Sequence, residues 1–301
     1  LPQSLNAATI TSAELTAVAV ITGLIASGST LAITGAYNGT DAATTTGTSQ
    51  SLGRNADAAP VVQADGSAPN WTATASAVSP SVVAITATSA QGGGQGSGVI
   101  IDSSGHVLTN NHVVAGAQEL TVTTSDGRTF AAEIRGTDPS TDLAVITITG
   151  NPSNLTPIAV GDSDAIAVGD PVMAVGNPLG LAGTVTTGIV SALNRPVTTQ
   201  GESSGQDQFG QAQSQAEPVV TNAIQTSAAI NPGNSGGALV NAGGQLIGIN
   251  SSIASLGSSS GQSGNIGIGF AIPVNEATSI AEQLIAKGTA VHAYLGVTPQ
   301  D

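Results

Sequence analysis

The chain has 301 residues, enough for one large domain or two small ones; 40% are apolar but only 2% aromatic, so a core must be built from Val, Ile, Leu and Ala. Nineteen acidic residues against five basic ones give a net charge of −14, which argues against nucleic-acid binding through a basic face and says nothing about fold. No cysteine is present, so disulfides and cysteine–zinc sites are excluded, and a secreted chain of this kind fits a bacterial envelope.

Residues 15–40 carry no charge and are long enough to cross a bilayer, which takes about 20 apolar residues. Ser, Thr and Gly interrupt them, so two readings stand: a membrane anchor within residues 1–40, or a low-complexity linker. Residues 41–76 hold few large apolar side chains and read as a flexible tether. From "SVVAITAT" (81–88) to Pro273, about a dozen short β-branched runs follow one another with tight turns between them. "GSGVIIDSSGHVLTNNHVV" reads as a hairpin around Gly105, and "LTVTTSDGRTFAAEIRGTD" as another around Asp126-Gly127. The series predicts an all-β fold of barrels or sandwiches. Residues 198–217 and 254–265, rich in Gln, Ser and Gly, read as long loops. One helix closes the series: Ala277, Ile280, Ala281, Leu284 and Ile285 recur at helical spacing, with Asn275 as the expected N-cap and Gly288 as the stop.

The stretch "AAINPGNSGGALV" (228–240) places Ser235 in the pattern G-x-S-x-G, the nucleophile elbow of α/β-hydrolases. Residue order rejects that fold. An elbow serine is followed by a helix and then by its acid and histidine. Here a strand follows, and the one later histidine is His292, near the chain end. A serine hydroxyl needs an imidazole to take its proton and a carboxylate to orient that imidazole. The order His, Asp, Ser is available as His112, Asp142 and Ser235. No acidic residue lies near Ser235 to attract a basic side chain.

The chain resembles the HtrA/Deg-type, trypsin-like serine proteases of bacterial envelopes. The matching motifs are "TNNHVV" (109–114), "GTDPSTDLAVI" (136–146), "AVGNPLGL" (174–181), "VTTGIVSALNR" (185–195), "TNAIQTSAAINPGNSGGAL" (221–239) and "GIGFAIPV" (267–274). The resemblance implies two six-stranded antiparallel β-barrels with the active site between them. It places the protease domain at 77–274, with barrel one at about 77–165 and barrel two at about 166–274. It implies Ser235 as nucleophile, His112 as general base, Asp142 as its orienting acid, and the backbone N–H groups of Gly233 and Ser235 as the oxyanion hole. It also implies a substrate pocket walled by the residues before the nucleophile and on the following strand, Ile230, Asn250, Ser251 and Ile253, with a preference for small or medium aliphatic side chains. No metal or other cofactor is implied. The implied activity is hydrolysis of misfolded or unfolded envelope proteins through an acyl-enzyme, by a homotrimer, in an extracytoplasmic location held by one N-terminal transmembrane segment. A peptide-binding, chaperone-like module with a resting triad is the competing reading.

Ser227 stands where the family usually has Asp, and His292 where it usually has Arg. His106, after a hairpin turn, is expected at the surface. "YLGV" (294–297) resembles the opening of the family's peptide-binding PDZ domain, so 275–301 reads as a helix and linker toward a PDZ domain absent from this chain.

Overall fold

A computed structural model describes residues 68–90, 92–150, 152–178, 183–199, 219–252 and 267–292. The expected anchor, most of the expected tether, most of the two long loops, Ile253 and the "YLGV" motif lie outside the described residues.

Twelve strands form two closed antiparallel barrels of six. The first holds β1 (Val82–Ser89), β2 (Gly92–Ile100), β3 (His106–Asn110), β4 (Glu119–Thr123), β5 (Thr129–Asp138) and β6 (Leu143–Ile148). The second holds β7 (Pro171–Gly176), β8 (Thr184–Thr199), β9 (Val219–Thr226), β10 (Ala238–Asn241), β11 (Leu246–Ser251) and β12 (Gly269–Pro273). The strand order around barrel one is β1-β2-β3-β6-β5-β4, and around barrel two it is β10-β11-β12-β9-β8-β7. The predicted hairpin turns are present: Gly105 and Gly127 both take positive φ. Closure removes the free edges that a sheet of Val, Ile and Thr would otherwise expose.

Three apolar clusters explain why the low aromatic content suffices. One fills barrel one, around Ile85, Ile100, Val107, Val122 and Ile146. A second fills barrel two, around Val172, Val190, Ile224, Leu239 and Ile247. The third joins the two barrels: Val82, Leu108 and Val145 from the first meet Met173, Val240 and Ile249 from the second. Fully burying one such side chain is worth about 1.5–3 kcal/mol, and many small branched residues replace a few rings.

Two helices seal this shared core. α1 (Trp71–Val78) occupies residues 71–76, which the sequence reading assigned to the tether. Its composition lacks a strong apolar stripe, and its order comes from tertiary contacts. The Asn70 side chain caps Ala73 N–H at 3.1 Å, and the buried Thr74 hydroxyl donates to the carbonyl of Ala242 at 2.8 Å. Trp71 and Ala75 pack against the shared core. The one-turn α2 (Asn111–Val114) lies between β3 and β4, and α3 (Val274–Lys287) follows β12.

α3 buries Val274, Ala277, Ile280, Ala281 and Leu284, and Gly288 ends it in the left-handed conformation, as the periodicity predicts. Its start differs from expectation. The helix begins at Val274, with Pro273 at the cap and no side-chain cap bond. Asn275 therefore sits inside the first turn, and its amide donates to Asp162 Oδ1 at 2.8 Å. Arg135 of β5 donates to the carbonyl of Ile285, tying the last turn to barrel one. A further correction concerns residues 198 and 199, read as the start of a loop. They belong to β8, a long strand that pairs irregularly with β9 near residues 190–195 and carries Asn194 at φ 53°.

Candidate active site

His112 leaves β3 on α2, and Val113 and Val114 behind it are buried in barrel one. Those two valines fix the direction of the turn, so the imidazole projects from a rigid base. Asp142 precedes β6 and is almost fully buried. Its backbone is left-handed, with φ 56°, a conformation that costs a non-glycine residue about 1–2 kcal/mol. The neighbouring chain holds it there. Its carbonyl accepts from Asn111 N–H and from the Asn110 amide, both at 3.0 Å. Its carboxylate accepts from His112 N–H at 3.0 Å.

The same carboxylate lies 2.9 and 3.0 Å from His112 Nδ1. An ionised carboxylate only accepts, so this nitrogen carries the hydrogen and Nε2 is left as an acceptor. Asp142 thus grips both the backbone and the ring of His112, and tautomer and orientation are set together.

Ser235 stands on the turn between β9 and β10, where Asn234 N–H bonds the carbonyl of Asn231 at 2.9 Å. The turn needs its glycines. Gly233 has φ 96°, and a Cβ there would come within 2.5 Å of Pro178 Cβ. Gly236 has φ 81°, and a Cβ would lie 2.2 Å from the carbonyl oxygen of Ser97 and 2.3 Å from Thr109 Oγ1. Barrel one therefore touches this turn directly. Among the described residues, the N–H groups of Gly233 and Ser235 donate no hydrogen bond.

Ser97, on β2, is the clasp between the two barrels. Its N–H donates to the carbonyl of Ser235 at 2.8 Å, and its hydroxyl donates to the carbonyl of Gly233 at 2.7 Å. The same hydroxyl accepts from Asn177 N–H at 2.8 Å, and its own carbonyl accepts from the Thr109 hydroxyl at 2.7 Å. Sequence reading missed Ser97, Thr109 and Asn110. Only "TNNHVV" drew attention to the last two, and nothing marked a serine within the glycine-rich "QGSGVI" as a cross-barrel contact.

The triad candidates are joined in part. His112 and Asp142 are hydrogen-bonded, whereas no hydrogen bond among the described residues joins Ser235 to His112. The Ser235 hydroxyl instead accepts from Ser252 N–H at 3.1 Å and bonds the Ser252 hydroxyl.

Of the residues expected at the substrate pocket, Ile230 and Asn250 are buried. Ile230 is buried in the core of barrel two, where a Cβ on Gly269 would meet its Cδ1 at 2.9 Å. Asn250 is fully buried, and its amide donates to the carbonyl of Ala238 at 2.9 Å. β11 is packed on both faces, and of its residues only Ser251, at its end, is partly accessible. A cavity of about 400 Å³ lies elsewhere on barrel two, lined in part by Asp162, Ile166, Asp170, Asn241 and Gln245, and none of the predicted site residues borders it.

The remaining histidines have structural partners. His106 is only partly exposed, not a free surface residue, and its Nδ1 lies 2.5 Å from Asp102. His292 Nε2 lies 2.8 Å from Asp138 and 2.9 Å from the Ser140 hydroxyl, on the turn leading to Asp142. Burial alone would raise the Asp138 carboxyl. Bonds from Ser140, Thr141 and His292 outweigh it and hold the group below its ordinary range. Glu276 is pushed up by burial, with the Asp138 charge adding and His292 opposing. Ser227 pins barrel two at this level, accepting from Ile189 N–H at 3.1 Å.

Residues 96–249 match the family described as trypsin-like peptidase domain. The serine protease PepD of Mycobacterium tuberculosis is 51% identical over 234 residues, 74% of this chain and 48% of that protein. The periplasmic pH-dependent serine endoprotease DegQ of Escherichia coli is 49% identical over 205 residues, 68% of this chain and 40% of that protein. The chain thus spans about half or less of the length of the curated relatives it matches. A solved HtrA-type protease, AlgW with a decapeptide, superimposes with a TM-score of 0.57 at 37% identity, covering 74% of this chain and 70% of that one. AlgW with a tripeptide gives 0.60 at 42% identity, covering 73% and 65%. With two six-stranded barrels, a His–Asp pair on the first and a glycine-flanked serine on the second, the chain belongs to the HtrA-type serine proteases of the trypsin-like peptidase family.

Proposed function

We propose that the chain is a serine endopeptidase in which Ser235 is the nucleophile, His112 the general base and Asp142 its orienting acid. The observation that carries this is the double grip of Asp142 on His112, which leaves Nε2 as an acceptor on a rigid turn. In the proposed reaction Ser235 Oγ attacks the scissile carbonyl carbon while its proton passes to His112 Nε2. The oxygen left with the negative charge accepts from the N–H groups of Gly233 and Ser235. The proton then moves from His112 to the leaving amine, and the C–N bond breaks. Water repeats the sequence against the ester, releasing the acid and restoring Ser235.

The substrates in this reading are misfolded or unfolded polypeptides, cleaved after small or medium aliphatic residues. Ile230, Ser251 and Ile253 would shape the pocket once it opens, with Asn250 beneath them. Periplasmic relatives support an extracytoplasmic envelope location. A trimer and an N-terminal anchor complete the proposal.

The peptide-binding alternative draws on one observation, the engagement of the Ser235 hydroxyl by Ser252 instead of His112. Digestion of casein with mapped products separates the two. Ser235→Ala should lower kcat by roughly 10⁶-fold if the triad works as a unit. A loss of only a few-fold sinks the assignment, and dominant cleavage after Lys or Arg sinks the pocket.

A further inference from the structure

The nucleophile candidate is already occupied, by a residue outside the triad. A serine hydroxyl offers one proton and two lone pairs. At Ser235 the backbone N–H of Ser252 takes one lone pair at 3.1 Å, and the Ser252 hydroxyl forms a second bond to the same oxygen. Attack on a carbonyl requires the opposite disposition, with the proton aimed at His112 Nε2 and a lone pair aimed at carbon. The Ser235 side chain must leave Ser252 before it can react.

Ser252 is held at a fixed place for this contact. It follows β11 directly. Asn250, two residues earlier, accepts from Gly236 N–H and donates to the carbonyl of Gly237, both at 2.9 Å. Those two bonds lock the end of β11 to the residues that follow the nucleophile. The Ser252 N–H would reach Ser235 whatever side chain residue 252 carried. The hydroxyl contact exists only because residue 252 is a serine.

We propose that Ser252 parks the nucleophile: it holds Ser235 in a resting orientation turned from His112, and its hydroxyl sets the fraction of molecules ready to acylate. This rests on the assignment of Ser235 as nucleophile and adds a control on it. Observed reactivity scales with the fraction in the competent orientation. Removing one hydrogen bond from the parked state raises that fraction by roughly 3- to 10-fold, the equilibrium equivalent of one net hydrogen bond.

The test is the second-order rate of labelling by a fluorophosphonate probe, on the full chain and on its Ser252→Ala and Ser252→Thr variants, with melting temperatures alongside. The expected result is labelling at Ser235 in all three. Ser252→Ala should be roughly 3- to 10-fold faster, Ser252→Thr close to the parent, and all melting temperatures alike. A Ser252→Ala rate equal to or below the parent's, with labelling intact, overturns parking and leaves the protease assignment standing. Absence of labelling in all three overturns the nucleophile assignment, and parking with it.

Discussion

Ser97→Ala removes a single oxygen, and the structure says what that oxygen holds. The hydroxyl donates to the Gly233 carbonyl and accepts from Asn177 N–H, and Ser97 is fully buried. The backbone bonds of Ser97, to Ser235 and from Thr109, survive the substitution. What remains is one orphaned carbonyl and one orphaned N–H, each costing about 1–3 kcal/mol when buried, so the domain should lose about 2–6 kcal/mol. For a domain of this size each kcal/mol moves Tm by about 2–4 °C, giving a fall of roughly 4–24 °C. The loss should also reach the chemistry, because Gly233 is one of the two proposed oxyanion donors and its peptide would no longer be anchored. We expect kcat/KM for a chromogenic peptide to fall about 10- to 100-fold, mostly in kcat, a smaller loss than deleting an oxyanion donor outright. Calorimetry and steady-state kinetics on the same preparation measure both. A Tm within 2 °C of the parent, with kcat unchanged, would refute the claim that Ser97 clasps the barrels through its hydroxyl.

Further outcomes follow from the same geometry. Asp142→Asn keeps the backbone carbonyl that Asn110 and Asn111 bind and keeps one side-chain acceptor for His112, but it removes the negative charge and puts an NH2 donor against Nδ1, which favours the wrong tautomer; kcat should fall by about 10⁴-fold with the fold intact by circular dichroism. Gly236→Ala places a methyl 2.2 Å from a backbone oxygen of the other barrel at φ 81°, so at least about 3 kcal/mol should be lost, visible as a lowered urea midpoint. The raised Glu276 carboxyl binds its proton more tightly folded than unfolded, so its ionisation weakens the fold as pH rises above about 4.5. Glu276→Gln should therefore raise Tm at pH 7 and leave it unchanged at pH 4; an equal shift at both would contradict the assignment. Asp138, held low, contributes stability above its unfolded value near 3.8 that disappears as pH falls through its lower folded value. Asp138→Asn should accordingly flatten the acid side of the Tm profile below pH 4.

Much was legible in the amino-acid order. β-branched runs punctuated by Gly-containing turns required an all-β fold, and the periodicity of Ala277, Ile280, Ala281 and Leu284 required the last helix. The order His112, Asp142, Ser235 excluded the hydrolase elbow without any coordinates, because strand follows Ser235 where that fold needs helix. These are local signals, carried by neighbours in the chain.

Contacts between distant segments were not legible. α1 lacks a helix signature of its own and is ordered by Ala242 and the shared core, far along the chain. Asn275 looked like a cap, but β12 runs straight into the helix and the asparagine was left to bind Asp162. Asn250 is fully buried because β11 is covered on both faces, which no period-two pattern can report. The sequence by itself determined the chemical inventory and its order: a serine, a histidine and an aspartate, glycines able to take positive φ, and enough aliphatic residues for two barrels. Tertiary structure alone decided how the inventory is wired. Ser97 clasps Ser235 across the barrels, Asp142 is held left-handed where it grips His112, and Ser252 takes the Ser235 hydroxyl, because hydrogen bonds between segments depend on distance in space and leave no period in the chain.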